Sequence, residues 1–209
     1  MLSYLLQKPT ATSYQVDLEK QRIKELIEFE RFCRDNAQWV EMKKCFSKNS
    51  KVSISWYEGT GFGFVEASEN MEGRAPHKLH NTLVWINGDR AVAFMMATIQ
   101  KRIKIQNVLC ELNSDAKLIY RLKKESEEWL IDGLTAIYEQ DSLSTVVPGG
   151  KLEISKSMLE QFRSSYACLS YALTQMGYAV NNDLPGIDRN NLVANIYKQM
   201  DYWLQDENL

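Results

Sequence analysis

Residues 77–99 read His77-Lys78-Leu79-His80-Asn81-Thr82-Leu83-Val84-Trp85-Ile86-Asn87-Gly88-Asp89-Arg90-Ala91-Val92-Ala93-Phe94-Met95-Met96-Ala97-Thr98-Ile99. Two β-rich runs, 79–86 and 90–99, flank Asn87-Gly88. That dipeptide between two such runs is the strongest short-range hairpin signal, because a tight two-residue turn needs positive φ. Along the first run His77, Leu79, Asn81, Leu83 and Trp85 fall on one face. His80, Thr82, Val84 and Ile86 fall on the other. A face that mixes His, Asn and Trp with apolar residues suits the wall of a partly polar cavity.

Working outward, two further strands are expected at 108–123 and 129–141, joined by the charged turn Lys124-Glu125-Ser126-Glu127-Glu128. On the N-terminal side a helix is expected over 17–34. Ile23, Leu26, Ile27, Phe29, Phe32 and Cys33 make its apolar stripe, and Glu19, Lys20, Lys24, Glu28 and Arg31 its polar side. After a break at Asp35-Asn36, Trp39, Met42 and Phe46 suggest a short helix ending at Asn49-Ser50. Alternation over 51–57 gives a strand, the link 58–61 a bend, and 62–71 a short helical piece. Helices first and a meander of long strands after them define an α+β chain.

Composition shifts at Val146-Val147-Pro148-Gly149-Gly150. The reading divides the chain into 1–148 and a helical C-terminal extension, 149–209, packed on the same domain. In the extension Leu159, Phe162, Tyr166, Leu169, Leu173 and Met176 mark one helix, closed by Gly177 as its C-terminal glycine. Val193, Ile196, Met200 and Trp203 mark a second, with Asp188 as its N-cap. Two such stripes are more apolar surface than a monomer leaves exposed.

The 209 residues carry 25 Lys+Arg against 27 Asp+Glu, a net charge of -2. Phosphate neutralisation needs a basic excess, so nucleic acid is not an expected partner. No apolar run approaches a membrane span. The patch Leu2, Tyr4, Leu5 and Leu6 has no basic residues before it and is too short for a signal peptide. Cys33, Cys45, Cys110 and Cys168 lie far apart in apolar stretches, as small buried hydrophobes of a reducing compartment do. A cytoplasmic protein is expected. His77 and His80, the only histidines, point to opposite faces of a strand, so no metal site is expected. Gly59-Thr60-Gly61-Phe62-Gly63 matches no phosphate-binding loop.

Several strings together resemble the SnoaL-like branch of the nuclear transport factor 2-like superfamily. They are Arg34-Asp35-Asn36-Ala37-Gln38-Trp39, His77-Lys78-Leu79-His80-Asn81, Asn87-Gly88-Asp89-Arg90-Ala91 and Glu128-Trp129-Leu130-Ile131. Met176-Gly177-Tyr178 and Asp183-Leu184-Pro185-Gly186 are similar to a bacterial subgroup with a helical C-terminal extension. The resemblance implies a cone: a strongly curved, mostly antiparallel sheet closed by the N-terminal helices around one deep apolar pocket. It implies that Asp35 and His77 meet in that pocket as a proton-transfer pair. Trp56 and Tyr57 would line its mouth, with Asn81 and Tyr138 as further pocket groups. The function implied is that of a cofactor-independent dehydratase-type lyase or isomerase acting on a small hydrophobic molecule, in a homodimer or trimer. Two other readings share the fold: a ligand-binding protein without catalysis, and a protein-interaction module using the exposed sheet face. The second histidine of scytalone dehydratase has no counterpart, and Ser55 and Trp56 stand where ketosteroid isomerases place a carboxylate.

Overall fold

A computed structural model describes residues 5, 7, 8, 13–73 and 75–205. Apart from Leu5, the N-terminal apolar patch lies outside the described residues. Helix α1 (Tyr14–Asp35) begins where the Ser13 hydroxyl accepts from the Val16 N–H, a side-chain cap for an otherwise unpaired donor. It ends at Asn36, and Ala37 adopts φ 58°, turning the chain away from the helix axis. Helix α2 (Trp39–Lys44), strands β1 (Phe46–Ile54) and β2 (Tyr57–Thr60), and helix α3 (Gly61–Glu69) follow. Thr60 caps α3 by accepting from the Gly63 N–H at 3.1 Å. Four long strands come next: β3 (His77–Asn87), β4 (Arg90–Ile105), β5 (Val108–Glu125) and β6 (Glu128–Thr145). The extension contributes α4 (Lys156–Leu159), α5 (Ala167–Gln175) and α6 (Asn190–Gln205).

The six strands form one curved, open sheet in the order β2-β1-β6-β5-β4-β3, antiparallel except where β1 runs parallel to β6. Bulges interrupt the registers at Leu79/Thr82, Asp115/Ala116 and Arg121/Leu122, and such insertions bend and twist a strand locally. Alternation along the strands separates two apolar faces. Ala91, Ala93, Met95, Leu118, Tyr120, Leu134, Ala136 and Tyr138 face inward, into a core shared with Ile23 and Ile27 of α1, Phe64 of α3 and Leu169 and Leu173 of α5. Val92, Ile119 and Ile137 face outward and are covered by Met200 and Leu204 of α6. The Trp203 indole of α6 donates to the carbonyls of Ala91 and Leu122, and the Arg90 and Arg121 guanidinium groups lie over its ring at 4.6 and 5.1 Å.

Several local expectations are corrected. Phe46 is the first residue of β1, not the end of a helix; it is buried against Phe64. In the hairpin, Asn87 is the last paired residue and the turn is Gly88-Asp89, with positive φ at Gly88 alone. That places glycine first in a two-residue turn, the position where the mirror-image turn with one positive φ requires it. On α1, Phe29 and Phe32 are 44% and 57% exposed, whereas Glu19, Glu30 and Arg31 are buried. The helix turns Ile23, Ile27, Glu30, Arg31 and Arg34 inward along one line, and the two phenylalanines stack on each other outside it.

The expected single helix over 159–176 is two helices separated by 160–166. The break is held by Arg163, whose guanidinium makes a two-point contact with Asp188 and donates to the carbonyls of Asn182 and Leu184. Asp188 therefore is not the cap of the following helix, which starts at Asn190. Gly177 does occupy the left-handed position after α5, at φ 83°.

Candidate active site

Asp35 is the last residue of α1 and His77 the first of β3, so the helix break and the strand start face each other. The Asp35 carboxylate accepts from the His77 backbone N–H at 2.7 Å and pairs with His77 Nδ1, also at 2.7 Å. Bonded to a carboxylate, Nδ1 carries the proton, which leaves the Nε2 lone pair free. The His77 side chain is 4% exposed and lines an apolar cavity. Ile54, Met71, Ile99, Leu112, Leu134, Leu169 and Leu173 supply the hydrocarbon walls.

Burial pushes the His77 imidazole down to about 4; the Asp35 hydrogen bond opposes this, and Arg31 and Arg34 add to it. Burial pushes the Asp35 carboxyl up, but the His77 ring and backbone and the Arg31 charge outweigh it and hold it below the ordinary range. At neutral pH the pair is therefore a neutral imidazole on a carboxylate.

Trp56, in the turn between β1 and β2, and Tyr138 of β6 line the same cavity. The Tyr138 hydroxyl accepts from the Ser55 N–H at 2.8 Å, and its ring packs 4.5 Å from Tyr166. Burial pushes this phenol up to about 12, so it is a neutral donor. Tyr57 lies beside the cavity, not in its lining: its hydroxyl donates to the Thr60 carbonyl and its ring packs on Trp56 and Phe64.

Asn81 is not in the cavity, and this corrects the expectation. The bulge between Leu79 and Thr82 inverts the alternation, so Asn81, Leu83 and Trp85 line a groove on the opposite sheet face with Phe94 and Tyr197. His80 is exposed and bonds Thr98, so the two histidines do not share a site. Among the described residues no group of three or more His, Cys, Asp or Glu side chains is arranged to hold a metal ion.

Three basic side chains of the lining went unforeseen: Arg31, Arg34 and Lys101. Arg31 is ion-paired with buried Glu30, which also accepts from Tyr120. The Arg34 guanidinium lies 5.9 Å from the Trp56 ring and 5.8 Å from Phe64, and its Nε is buried without a hydrogen-bond partner. Burial first, and Arg31 second, push it down to about 10. Lys101 donates to the Glu72 carbonyl at 2.8 Å. Arg31 and Arg34 could have been found from their spacing of eight and eleven residues from Ile23. Lys101 follows Ile99 by two, on a strand that runs beyond its expected end.

A curved, open sheet closed by helices in this order has the scytalone dehydratase-like, nuclear transport factor 2-like fold. A scytalone dehydratase-like protein of Novosphingobium aromaticivorans superposes with a TM-score of 0.51 at 13% identity, over 66% of this chain and 97% of that one. A LinA-type hexachlorocyclohexane dehydrochlorinase of Novosphingobium barchaimii gives 0.54 at 8% identity, over 69% and 100%. No protein-family model matches the chain. By sequence it is similar to pea pathogenicity protein 2 of Fusarium vanettenii, 27% identical over 195 residues, 90% of this chain and 84% of that protein. It is also similar to an uncharacterised protein of Emericella nidulans, 29% identical over 182 residues, 81% and 76% of the two chains. Both relatives are fungal. Among the described residues no helix is long and apolar enough to cross a membrane.

Proposed function

We propose that the protein is a cofactor-independent lyase, or an isomerase, that moves a proton on a small hydrophobic molecule through His77 Nε2. The observation that carries this reading is the double contact of Asp35 with the ring and backbone of His77 inside an apolar cavity. A carboxylate held in this way fixes the tautomer and stabilises the imidazolium that forms when the free nitrogen takes a proton. In a dehydration, Nε2 removes the proton next to an electron-withdrawing group, the C–H electron pair becomes the double bond, and the β-oxygen leaves. The proton on Nε2 then returns to that oxygen, so substrate becomes alkene plus water. The Tyr138 hydroxyl, which accepts from the Ser55 N–H and keeps its own hydrogen, is the proposed donor to a carbonyl oxygen, with Trp56 as one wall. The names of two structural neighbours, a dehydratase and a dehydrochlorinase, support elimination as the reaction type.

The test is proton NMR in deuterium oxide on a panel of β-hydroxy and β-halo carbonyl compounds, reading new olefinic signals and deuterium entering beside the carbonyl. His77→Gln and Asp35→Asn should each lower the rate by about 10²–10⁴, the range of general acid–base groups, while circular dichroism shows an intact fold. Wild-type rates in both variants would refute the assigned roles, and no turnover of any compound by the wild type would leave a ligand-binding protein.

A further inference from the structure

Every acid or base of the cavity lining other than the Tyr138 phenol is basic: Arg31, Arg34, His77 and Lys101. Glu30 pairs with Arg31, and the Asp35 carboxylate is hydrogen-bonded to neutral His77, so it acts on Arg34 only through space. Among the described residues no carboxylate forms an ion pair with Arg34 or with Lys101. A buried cation without a directly paired counter-charge is costly, and a buried N–H without an acceptor adds to the cost. The unpartnered Arg34 Nε therefore marks a place where an acceptor is missing.

We propose that the ligand of this cavity is an organic carboxylate: a hydrophobic body against the aliphatic wall, with its carboxylate held by Arg34 and Lys101. This deepens the reading of the same site given above, and names the charge its substrate carries. The guanidinium fork can give the carboxylate two parallel hydrogen bonds, the geometry in which arginine binds this group most strongly. The Trp56 and Phe64 ring centroids lie 5.9 and 5.8 Å from the guanidinium carbon and confine the fork from those sides. Lys101 uses one hydrogen on Glu72 and has two more to offer. The arrangement also bears on His77, because Arg31 and Arg34 are among the groups that hold its proton affinity down. An anion on Arg34 cancels part of that repulsion and makes Nε2 a stronger base only when substrate is bound.

The experiment is calorimetric titration of the protein with 4-phenylbutanoate and with the isosteric neutral 4-phenylbutanamide. The acid should bind at least about tenfold more tightly, as expected for a charge-assisted hydrogen-bonded pair. Arg34→Gln and Lys101→Met should each remove most of that preference with little change for the amide. Lys101 is on a long paired strand, so its variant carries the test if Arg34→Gln fails to fold. His77→Gln and Asp35→Asn should keep the preference. Loss of turnover with the preference intact thus separates the fate of the catalytic reading from this one. Absence of acid binding, equal binding of acid and amide, or a preference that survives both cationic substitutions would overturn the proposal.

Discussion

Replacing His77 by Gln should change how stability depends on pH, in a window set by where the ring sits. The imidazole titrates at about 4 in the folded protein and near 6.5 when exposed. Above pH 6.5 neither state binds the proton, and the neutral ring's contribution is fully present. As pH falls from 6.5 toward 4, the unfolded chain takes up a proton that the folded one refuses. Folding then loses about 1.4 kcal/mol per pH unit, about 3 kcal/mol across the window. Asp35, held below its ordinary range, makes a contribution that is lost at lower pH still. The assay is urea unfolding followed by tryptophan fluorescence in steps from pH 7.5 to 4.5. His80 and the surface carboxylates are common to both proteins, so the difference between wild type and His77→Gln reports the ring together with the Asp35 carboxyl bonded to it. That difference should be constant above pH 6.5, then shift by about 1.4 kcal/mol per unit in favour of the variant below it. Parallel profiles would refute the buried neutral imidazole. A wild type gaining stability as pH falls would mean an imidazolium–carboxylate ion pair instead, and the proposed base would already be protonated.

Glu30→Gln removes the counter-charge of Arg31 in a site where both side chains are nearly inaccessible. Stranding that cation should cost about 3–5 kcal/mol by denaturant unfolding, and a loss under 1 kcal/mol would contradict its burial. Ending the chain after Pro148 removes Tyr166, Leu169 and Leu173 from the inner core and Met200 and Leu204 from the outer face. Size-exclusion chromatography should then show aggregate, and a folded, monodisperse 1–148 fragment would refute the packing described for the extension.

The helix–sheet order and the hairpin could be read from the sequence because they rest on local chemistry; the meeting of Asp35 with His77, 42 positions apart, was implied only by the family resemblance. Asn87-Gly88 signals a turn by backbone sterics, and Asp35 and His77 stand at element ends that the patterning locates. Asn81 could not be placed, since the bulge it lies in, between Leu79 and Thr82, reverses the side chains that follow without altering the apolar pattern. Arg31 reads as surface charge because polarity alone assigns it to solvent; only Glu30, adjacent in sequence and itself buried, makes its position tolerable. Arg163 is similar. Its partner Asp188 is 25 residues away, so nothing local announces that the helix expected over 159–176 is interrupted there.

The parallel pairing of β1 with β6 has a consequence for how the protein forms. Val52 meets Leu134, the Ser55 N–H reaches Tyr138 across 83 positions, and the Leu5 N–H bonds Asp201 across 196. Contacts of such sequence separation slow folding, because the intervening chain must be gathered before they stabilise anything. On the ribosome, the first strand waits unpaired with β6 until that strand has left the exit tunnel. During that interval the apolar lining of the future cavity is uncovered. The biosynthesis of this protein thus has a vulnerable period between the emergence of β1 and that of β6 and α5, in which what the finished fold encloses is still open to unwanted contacts.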